Sequence, residues 1–313
     1  MRLRVAVYDR RGAAPAGAVL IWERLIKTAA PEGVAAKPKY TEEGVTLMLS
    51  PAEFVNFYAQ VGAKKSTNST GKLFLGAILA GFLIASGAVA ASTASYGLDN
   101  TSVARVVSGL LFPFGLIMVI ITGAELFTGN CLITISVLEK KAALAGMVRN
   151  LVTVYLGNLL GAVLLAAAVA CSGAFDNLAL GVYAIRTAAN KCALPFGRAV
   201  VLGILCNILV CAGVMCSLCA KSLPGRAIGA FVPVSFFVIG GFEHCVANMY
   251  YIPAGLLAAG LPDCAHLARE AGLDLSALSL MGFFRNMIPV TIGNIIGGCG
   301  FGALIWACHR TSK

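Results

Sequence analysis

Apolar residues collect into six long runs, and these runs decide which architecture the chain predicts. Each run reaches the roughly 20 apolar residues that a helix needs to cross a bilayer. In chain order, the runs cover about residues 72–98, 102–139, 144–172, 196–218, 227–259 and 280–309. We therefore predict an all-α integral membrane protein with six transmembrane helices.

The composition agrees with a membrane protein. Only 12% of the 313 residues are charged and 58% are hydrophobic, whereas a soluble domain carries about 25% charged residues. Residues 1–25 contain neither a clean apolar core nor a small-residue cleavage site. We therefore expect no cleavable signal peptide.

Basic residues predict how the chain sits in the membrane. The net charge is +10, and cytoplasmic loops are enriched in Lys and Arg. With a cytoplasmic N-terminus, the basic connections at Lys140, Lys221 and Arg226 and the C-terminal Lys313 fall on the cytoplasmic side. We predict a multi-pass protein of the plasma membrane with both termini in the cytoplasm. A basic tail alone does not explain six spans, so we expect no nucleic-acid partner.

A short motif before the first run predicts an additional helix. Ser50 suits an N-cap, Pro51 suits the first helical position, and Glu53 completes a capping box. An apolar stripe at helical spacing follows, formed by Phe54, Phe57, Tyr58 and Val61. We predict an amphipathic helix at the cytoplasmic interface, with a soluble packing helix as the alternative. Three parts result: a flexible N-terminal extension (1–49), this helix (50–66) and a six-helix channel domain (72–310).

The six runs contain an internal repeat. Three pairs of strings match in the same order: ILAGFLIASG (78–87) with ILCNILVCAG (204–213), GAELFTGN (123–130) with GFEHCVAN (241–248), and GNLLG (157–161) with GNIIG (293–297). Each string falls in a different run, which divides the chain into two halves of three spans. An odd number of spans reverses orientation, so the halves form an inverted repeat, as in many transporters.

Polar residues interrupt the second and fifth runs at matched positions. A Glu in hydrocarbon costs at least about 2.5–3.5 kcal/mol, so we predict that helices 2 and 5 are broken there, the second at residues 126–130. Glu125 and Glu243 would accept hydrogen bonds from the freed amides, with direct substrate contact as the alternative. Thr128 and His244 would form a narrow polar site that suits a small solute. The unperturbed pKa of His, near 6.5, suits both hydrogen bonding and proton transfer.

The sequence contains no signature of catalysis or of a bound cofactor. It lacks a nucleophilic Ser motif, an HExxH string and a nucleotide fingerprint. Most of the 11 cysteines lie inside the spans, and their spacing fits neither zinc nor a disulfide framework. We therefore predict a conduit without metal or cofactor. An intramembrane enzyme that uses Glu243 and His244 and a non-conducting scaffold are the alternatives.

Four strings carry a resemblance to a known family. ELFTGN, GFEHCVANMYYIP, GILCNILVC and IPVTIGNIIGG resemble the formate/nitrite transporter family over about residues 50–310. The resemblance implies an aquaporin-like protomer with broken helices 2 and 5, assembled as a homopentamer with one pore per protomer. It implies a small monovalent anion as substrate and protons as partners. GFEH followed by MYYIP favours the formate branch, with nitrite and hydrosulfide as alternatives.

The same resemblance assigns roles to polar residues. Thr128 and His244 would be the central pair, and Asn207 and Asn248 would join the hydrogen-bond network around His244. Lys191 would be the vestibule lysine that attracts anions by its field. Without the family, Lys191 reads as an ordinary interface lysine.

Apolar residues would form two constrictions, again by resemblance. Phe112, Phe237 and Leu126 would form the outer one, and Leu116 would help to form the inner one. From composition alone, the phenylalanines serve equally well for packing. A bare anion pays heavily to cross such a layer and its neutral acid pays much less. The anion is therefore expected to take a proton, from His244 or from water, and to cross neutral.

Overall fold

The structure is a computed structural model that describes residues 48–310, and this part of the chain is almost entirely helical. Its α-helices, in chain order, are α1 Pro51–Thr67, α2 Thr70–Ser95, α3 Thr101–Leu111, α4 Pro113–Thr122, α5 Phe127–Asn130, α6 Ile133–Leu138, α7 Leu144–Cys171, α8 Leu178–Cys192, α9 Phe196–Cys219, α10 Leu223–Ile239, α11 Cys245–Ala259, α12 Pro262–Glu270 and α13 Leu280–His309. Within residues 48–310 there is no strand, only an isolated bridge between Met48 and Ala220. Nearly all of the predicted extension 1–49 lies outside the described residues.

The helices confirm a multi-pass membrane protein. Five are long and apolar enough to cross a bilayer: α2, α3 together with α4, α7, α9 and α13. Helices α11 and α12 meet at a bend of 97° and give a sixth if the pair is one span. Helix α10 is apolar but shorter. The described part of the chain therefore offers five or six spans by length and composition.

Helix α1 begins where the capping box predicts. The Ser50 hydroxyl accepts the Glu53 N–H at 3.3 Å, and the Glu53 carboxylate accepts the Ser50 N–H at 2.7 Å. These hydrogen bonds with Ser50 hold the pKa of Glu53 below its usual value. Phe54 and Tyr58 are fully buried, whereas Phe57 is 41% exposed. The apolar stripe is therefore divided, and part of it packs α1 against the protein, chiefly against α6.

Two long helix pairs, α2 with α7 and α9 with α13, form the frame around the site. The two helices of each pair approach so closely that only glycine fits at the contact. A Cβ on Gly161 would lie 2.0 Å from the Ile78 carbonyl oxygen, and one on Gly297 would lie 2.2 Å from that of Ile204. These contacts join the first and third repeat strings of each half. The two halves therefore use the same contact to pack their helices.

Both polar segments interrupt regular helix at a left-handed glycine. Helix α4 ends before Gly123, which has φ 68°, and α10 ends shortly before Gly241, which has φ 69°. Glycine adopts this backbone region without strain. The first interruption lies at residues 123–126, not at 126–130 as the sequence predicts, because residues 127–130 already form α5.

Candidate functional site

The structure brings the two predicted central residues into contact. Thr128 lies on α5 and His244 is the N-cap of α11, and both are buried. Thr128 Oγ1 and His244 Nε2 are 2.9 Å apart. His244 Nδ1 accepts the Ala247 N–H at 3.0 Å. Because Nδ1 is an acceptor, this network assigns a neutral imidazole that carries its proton on Nε2 and donates it towards Thr128.

Two phenylalanines cover the His244 ring. The ring of Phe237 stacks on the imidazole with a centroid distance of 5.8 Å. Phe112 meets Phe237 edge-on at 5.7 Å. Both side chains are buried. The imidazole therefore lies beside aromatic rings that come from α10 and from the junction of α3 with α4.

A cavity lies on each side of this centre. We call the first the Lys191 vestibule; it has a volume of about 660 Å³, and its lining includes Arg105, Arg186, Lys191, Tyr251, Phe112 and His244. We call the second the Lys65 vestibule; it has a volume of about 390 Å³, and its lining includes Lys64, Lys65, Lys72, Leu116, Leu126 and Val214. His244 lines the Lys191 vestibule, and Gly129, the neighbour of Thr128, lines the Lys65 vestibule, so the Thr128–His244 contact joins the walls of the two cavities.

The two apolar layers differ from the predicted grouping in one residue. Phe112 and Phe237 line the Lys191 vestibule, as expected for one layer. Leu126 lines the Lys65 vestibule together with Leu116, on the other side. Leu126 is the N-cap of α5, as His244 is the N-cap of α11. The two N-cap side chains therefore line different vestibules.

An ion pair lies beside His244 and is part of a closed network. Lys191 Nζ and Glu243 Oε1 are 2.8 Å apart, and both side chains are mostly buried. Glu243 also accepts the Asn248 amide at 2.6 Å, and Asn248 donates to Asn286 at 2.7 Å. Asn286 donates back to the Lys191 carbonyl at 2.9 Å. Lys191 therefore faces the vestibule with its charge compensated by Glu243.

The other half of the chain repeats this network. Lys65 Nζ and Glu125 Oε2 are 2.6 Å apart. Asn130 donates to Glu125 at 2.8 Å and to Asn150 at 2.9 Å. Asn150 donates to the Lys65 carbonyl at 3.0 Å. A Lys–Glu–Asn–Asn quartet therefore stands beside each interruption.

Two buried asparagines, not the glutamates, hold the freed backbone amides. Asn158 accepts the Phe127 N–H at 2.9 Å and donates to the Ala77 and Glu125 carbonyls. Asn294 accepts the Cys245 N–H at 2.9 Å and donates to the Gly203 and Glu243 carbonyls. The predicted capping role of the Glu125 and Glu243 side chains is therefore wrong. Their carboxylates are engaged by lysine and asparagine side chains, and the lysine ammonium makes the stronger, charge-assisted bond.

The other two predicted asparagines support the centre without touching the imidazole. Asn207 donates to the Thr128 carbonyl at 3.2 Å and to the Asn294 carbonyl at 2.6 Å. It therefore links the two interruptions across the molecule. Asn248 bonds to Glu243 and Asn286. Both residues bond to groups around the site, but neither is a hydrogen-bond partner of His244 in the structure.

Known proteins share the sequence and the fold that carry this geometry. The model of the formate/nitrite transporter family matches residues 52–308. The chain belongs to this family. The formate channel FocA of Escherichia coli K12 is 36% identical over 258 residues, which cover 80% of this chain and 90% of that relative. FocA of Haemophilus influenzae is 36% identical over 262 residues, 81% of this chain and 92% of the relative.

Solved structures of the family have the same fold. A structure described as a pentameric formate channel with formate bound superposes with a TM-score of 0.69 at 34% identity. The match covers 76% of this chain and 96% of that one. An ion channel of the family, 24% identical, also gives a TM-score of 0.69 and shows the shared fold. Family membership confirms the interpretation of this chain as a channel or transporter and not an enzyme.

Sequence reasoning missed most of the residues that hold this family member's site together. The omitted side chains are those of Lys65, Asn130, Asn150, Asn158, Asn286 and Asn294. The matched GNLLG and GNIIG strings contain Asn158 and Asn294, and the same offset relates Asn150 to Asn286, each preceded by Arg. Extending the repeat comparison to single asparagines would have found these four asparagines.

We predict strong energetic coupling within the Lys191–Glu243 pair. Lys191→Met should lower stability by about 3–5 kcal/mol, because it leaves Glu243 as an uncompensated charge in a mostly buried site. The Lys191→Met/Glu243→Gln double variant should recover part of this loss. Thermal unfolding in detergent of the parent, both single variants and the double variant measures the coupling. Additive losses would contradict it.

Proposed function

We propose that this chain is a channel for small monovalent anions, that formate is its principal substrate, and that anions cross at Thr128 and His244. The observation that carries the proposal is the buried 2.9 Å contact between these two side chains, with a vestibule on either side. The FocA relatives are named formate channels, and one solved relative holds formate. Those names support formate for this chain.

The lining supports crossing in a neutral form. An anion must leave its water to pass the phenylalanines on one side and the leucines on the other, which is costly for a charge and much cheaper for the acid. His244 offers an Nε2–H donor at the narrowest polar point. The anion would take its proton near this layer, from His244 or from water. Nitrite and hydrosulfide fit the same small monovalent class and are the alternative substrates.

The paired networks support the finer architecture. We assign six spans to an inverted repeat of three plus three, with α3 to α6 as a broken second span and α10 with α11 as a broken fifth. In this arrangement, Lys65 corresponds to Lys191, Glu125 to Glu243 and Asn158 to Asn294. Each residue makes the hydrogen bonds of its counterpart, and Lys65 makes one more, to Asn130 Oδ1 at 3.0 Å.

The basic connections support an orientation with both termini in the cytoplasm of a plasma-membrane protein. Residues 72–310 would then form the channel domain, and α1 would lie at the cytoplasmic interface, where the exposed Phe57 can enter the lipid headgroups. Several large apolar side chains point outwards from the spans, among them Leu75, Phe114, Leu156 and Ile296. They fit lipid or neighbouring protomers, and the pentameric relative supports a homopentamer.

Flux through the purified protein tests the proposal. Formate, nitrite, hydrosulfide and lactate are compared in proteoliposomes at about pH 5.5 and about pH 7.5, on either side of the imidazole range. We expect formate to move fastest and to accelerate at the lower pH. If nitrite or hydrosulfide moves fastest, then that anion, and not formate, is the principal substrate. No flux of any of the four would favour a non-conducting scaffold.

A further inference from the structure

The vestibule lysine cannot be the main source of an attractive field. Lys191 and Glu243 lie 2.8 Å apart, so from a distance they act as a dipole and not as a positive charge. The field of a dipole falls faster than that of a charge, and salt screens both. If the Lys191 vestibule attracts anions, then other charges in its lining must provide the field.

The lining contains two such cations. Arg105, on α3, and Arg186, on α8, both line the Lys191 vestibule. Among residues 48–310, neither guanidinium takes part in an ion pair or a side-chain hydrogen bond. The remaining charged residue of the lining is Asp99. With Lys191 and Glu243 cancelling, two uncompensated arginines face one carboxylate.

Arg105 also stands next to the interruption itself. A Cβ built on Gly241 would lie 3.9 Å from the Arg105 guanidinium carbon. Gly241 is the left-handed residue two positions before Glu243 and three before His244. A carboxylate bound by Arg105 would therefore lie beside the turn that precedes His244.

We propose that Arg105 and Arg186 form an entry site for small carboxylate anions in the Lys191 vestibule and set the rate of anion capture there. This inference rests on the proposed function. A guanidinium offers a planar pair of N–H donors that matches a carboxylate. The site should raise the local anion concentration and hence the flux when substrate is scarce. It should leave the maximal rate at the central pair unchanged.

The test is a charge series measured as formate uptake into proteoliposomes. At about 10 mM ionic strength, where the Debye length is about 30 Å, Arg105→Gln/Arg186→Gln should lower the rate at low formate about three- to tenfold. Asp99→Asn should raise it. Near 1 M salt, where the Debye length is about 3 Å, the variants and the parent should converge. At saturating formate, the maximal rates should agree.

Two control variants separate charge from structure. Arg105→Lys/Arg186→Lys keeps the charges and should retain the salt dependence of the parent. Arg269→Gln removes a charge from α12, outside the vestibule lining, and should behave as the parent does. A glutamine double variant with the parent's salt dependence and the parent's rate at low formate would overturn the entry site while leaving the proposed function intact. A parent that passes no anion would overturn both.

Discussion

A His244→Asn protein should assemble as the parent does and lose most of the acceleration of formate flux at acid pH. Asparagine is a favoured N-cap, so its side-chain oxygen can still accept the Ala247 N–H. What it cannot do is take up and release a proton. In the parent, protonation of Nδ1 would release the Ala247 amide and convert His244 into an acid. We expect a loss of about 10²-fold or more in flux at low pH.

His244→Ala provides the comparison, because it removes the cap as well as the proton carrier. It should also lower stability by about 1 kcal/mol, as expected for a lost N-cap. Stopped-flow uptake across a pH series, together with the assembly state by light scattering, measures both effects. If the asparagine variant keeps the full pH dependence of the parent, the proton comes from water and His244 serves only as a hydrogen-bond donor.

Replacing Asn158 or Asn294 by leucine should cost more stability than losing the Lys191–Glu243 ion pair or the His244 cap. Each amide makes three hydrogen bonds to backbone groups: an N–H and a carbonyl at an interruption, and a carbonyl of a neighbouring continuous helix. Leucine has nearly the same size but leaves the two groups at the interruption without a partner, at about 1–3 kcal/mol for each. In the membrane interior, no water is available to form hydrogen bonds with these backbone groups. We expect a large drop in the unfolding temperature and poor recovery of folded protein.

The two asparagines are counterparts, so their leucine variants should lose similar amounts. Asn190→Leu is the matched control, because Asn190 is exposed and its side chain makes no hydrogen bond among the described residues. Thermal unfolding in detergent compares the three. A loss for Asn158→Leu no larger than that for Asn190→Leu would show that the interruptions do not depend on these amides.

The membrane-spanning character and the polar centre were accessible from sequence because both depend on residue type. Twenty apolar residues in a row predict a span without knowledge of neighbours, and Thr128 and His244 stood out as polar groups inside the two matched polar strings of such runs. The capping box of Ser50 and Glu53 is equally local. Contacts between residues three apart follow from helix geometry alone.

The roles of the glutamates were not accessible in this way. Glu125 is adjacent to the freed amides in sequence, yet its carboxylate binds Lys65, which lies 60 positions earlier. The amides themselves are held by Asn158 from a different span. The side on which Leu126 lies depends on how the two halves face each other. These pairings are set by long-range packing, which periodicity along the chain does not encode.

The two N-cap positions make the two sides of the site chemically different. One half keeps a leucine at residue 126 and the other carries a histidine at residue 244, although the surrounding backbone is held by equivalent bonds. The lining of the Lys191 vestibule therefore includes an imidazole beside its phenylalanines, whereas the N-cap side chain in the Lys65 vestibule is a hydrocarbon. Microscopic reversibility forbids such a fixed asymmetry from pumping. Any net accumulation must therefore be driven by the gradients of the anion and of the proton across the bilayer.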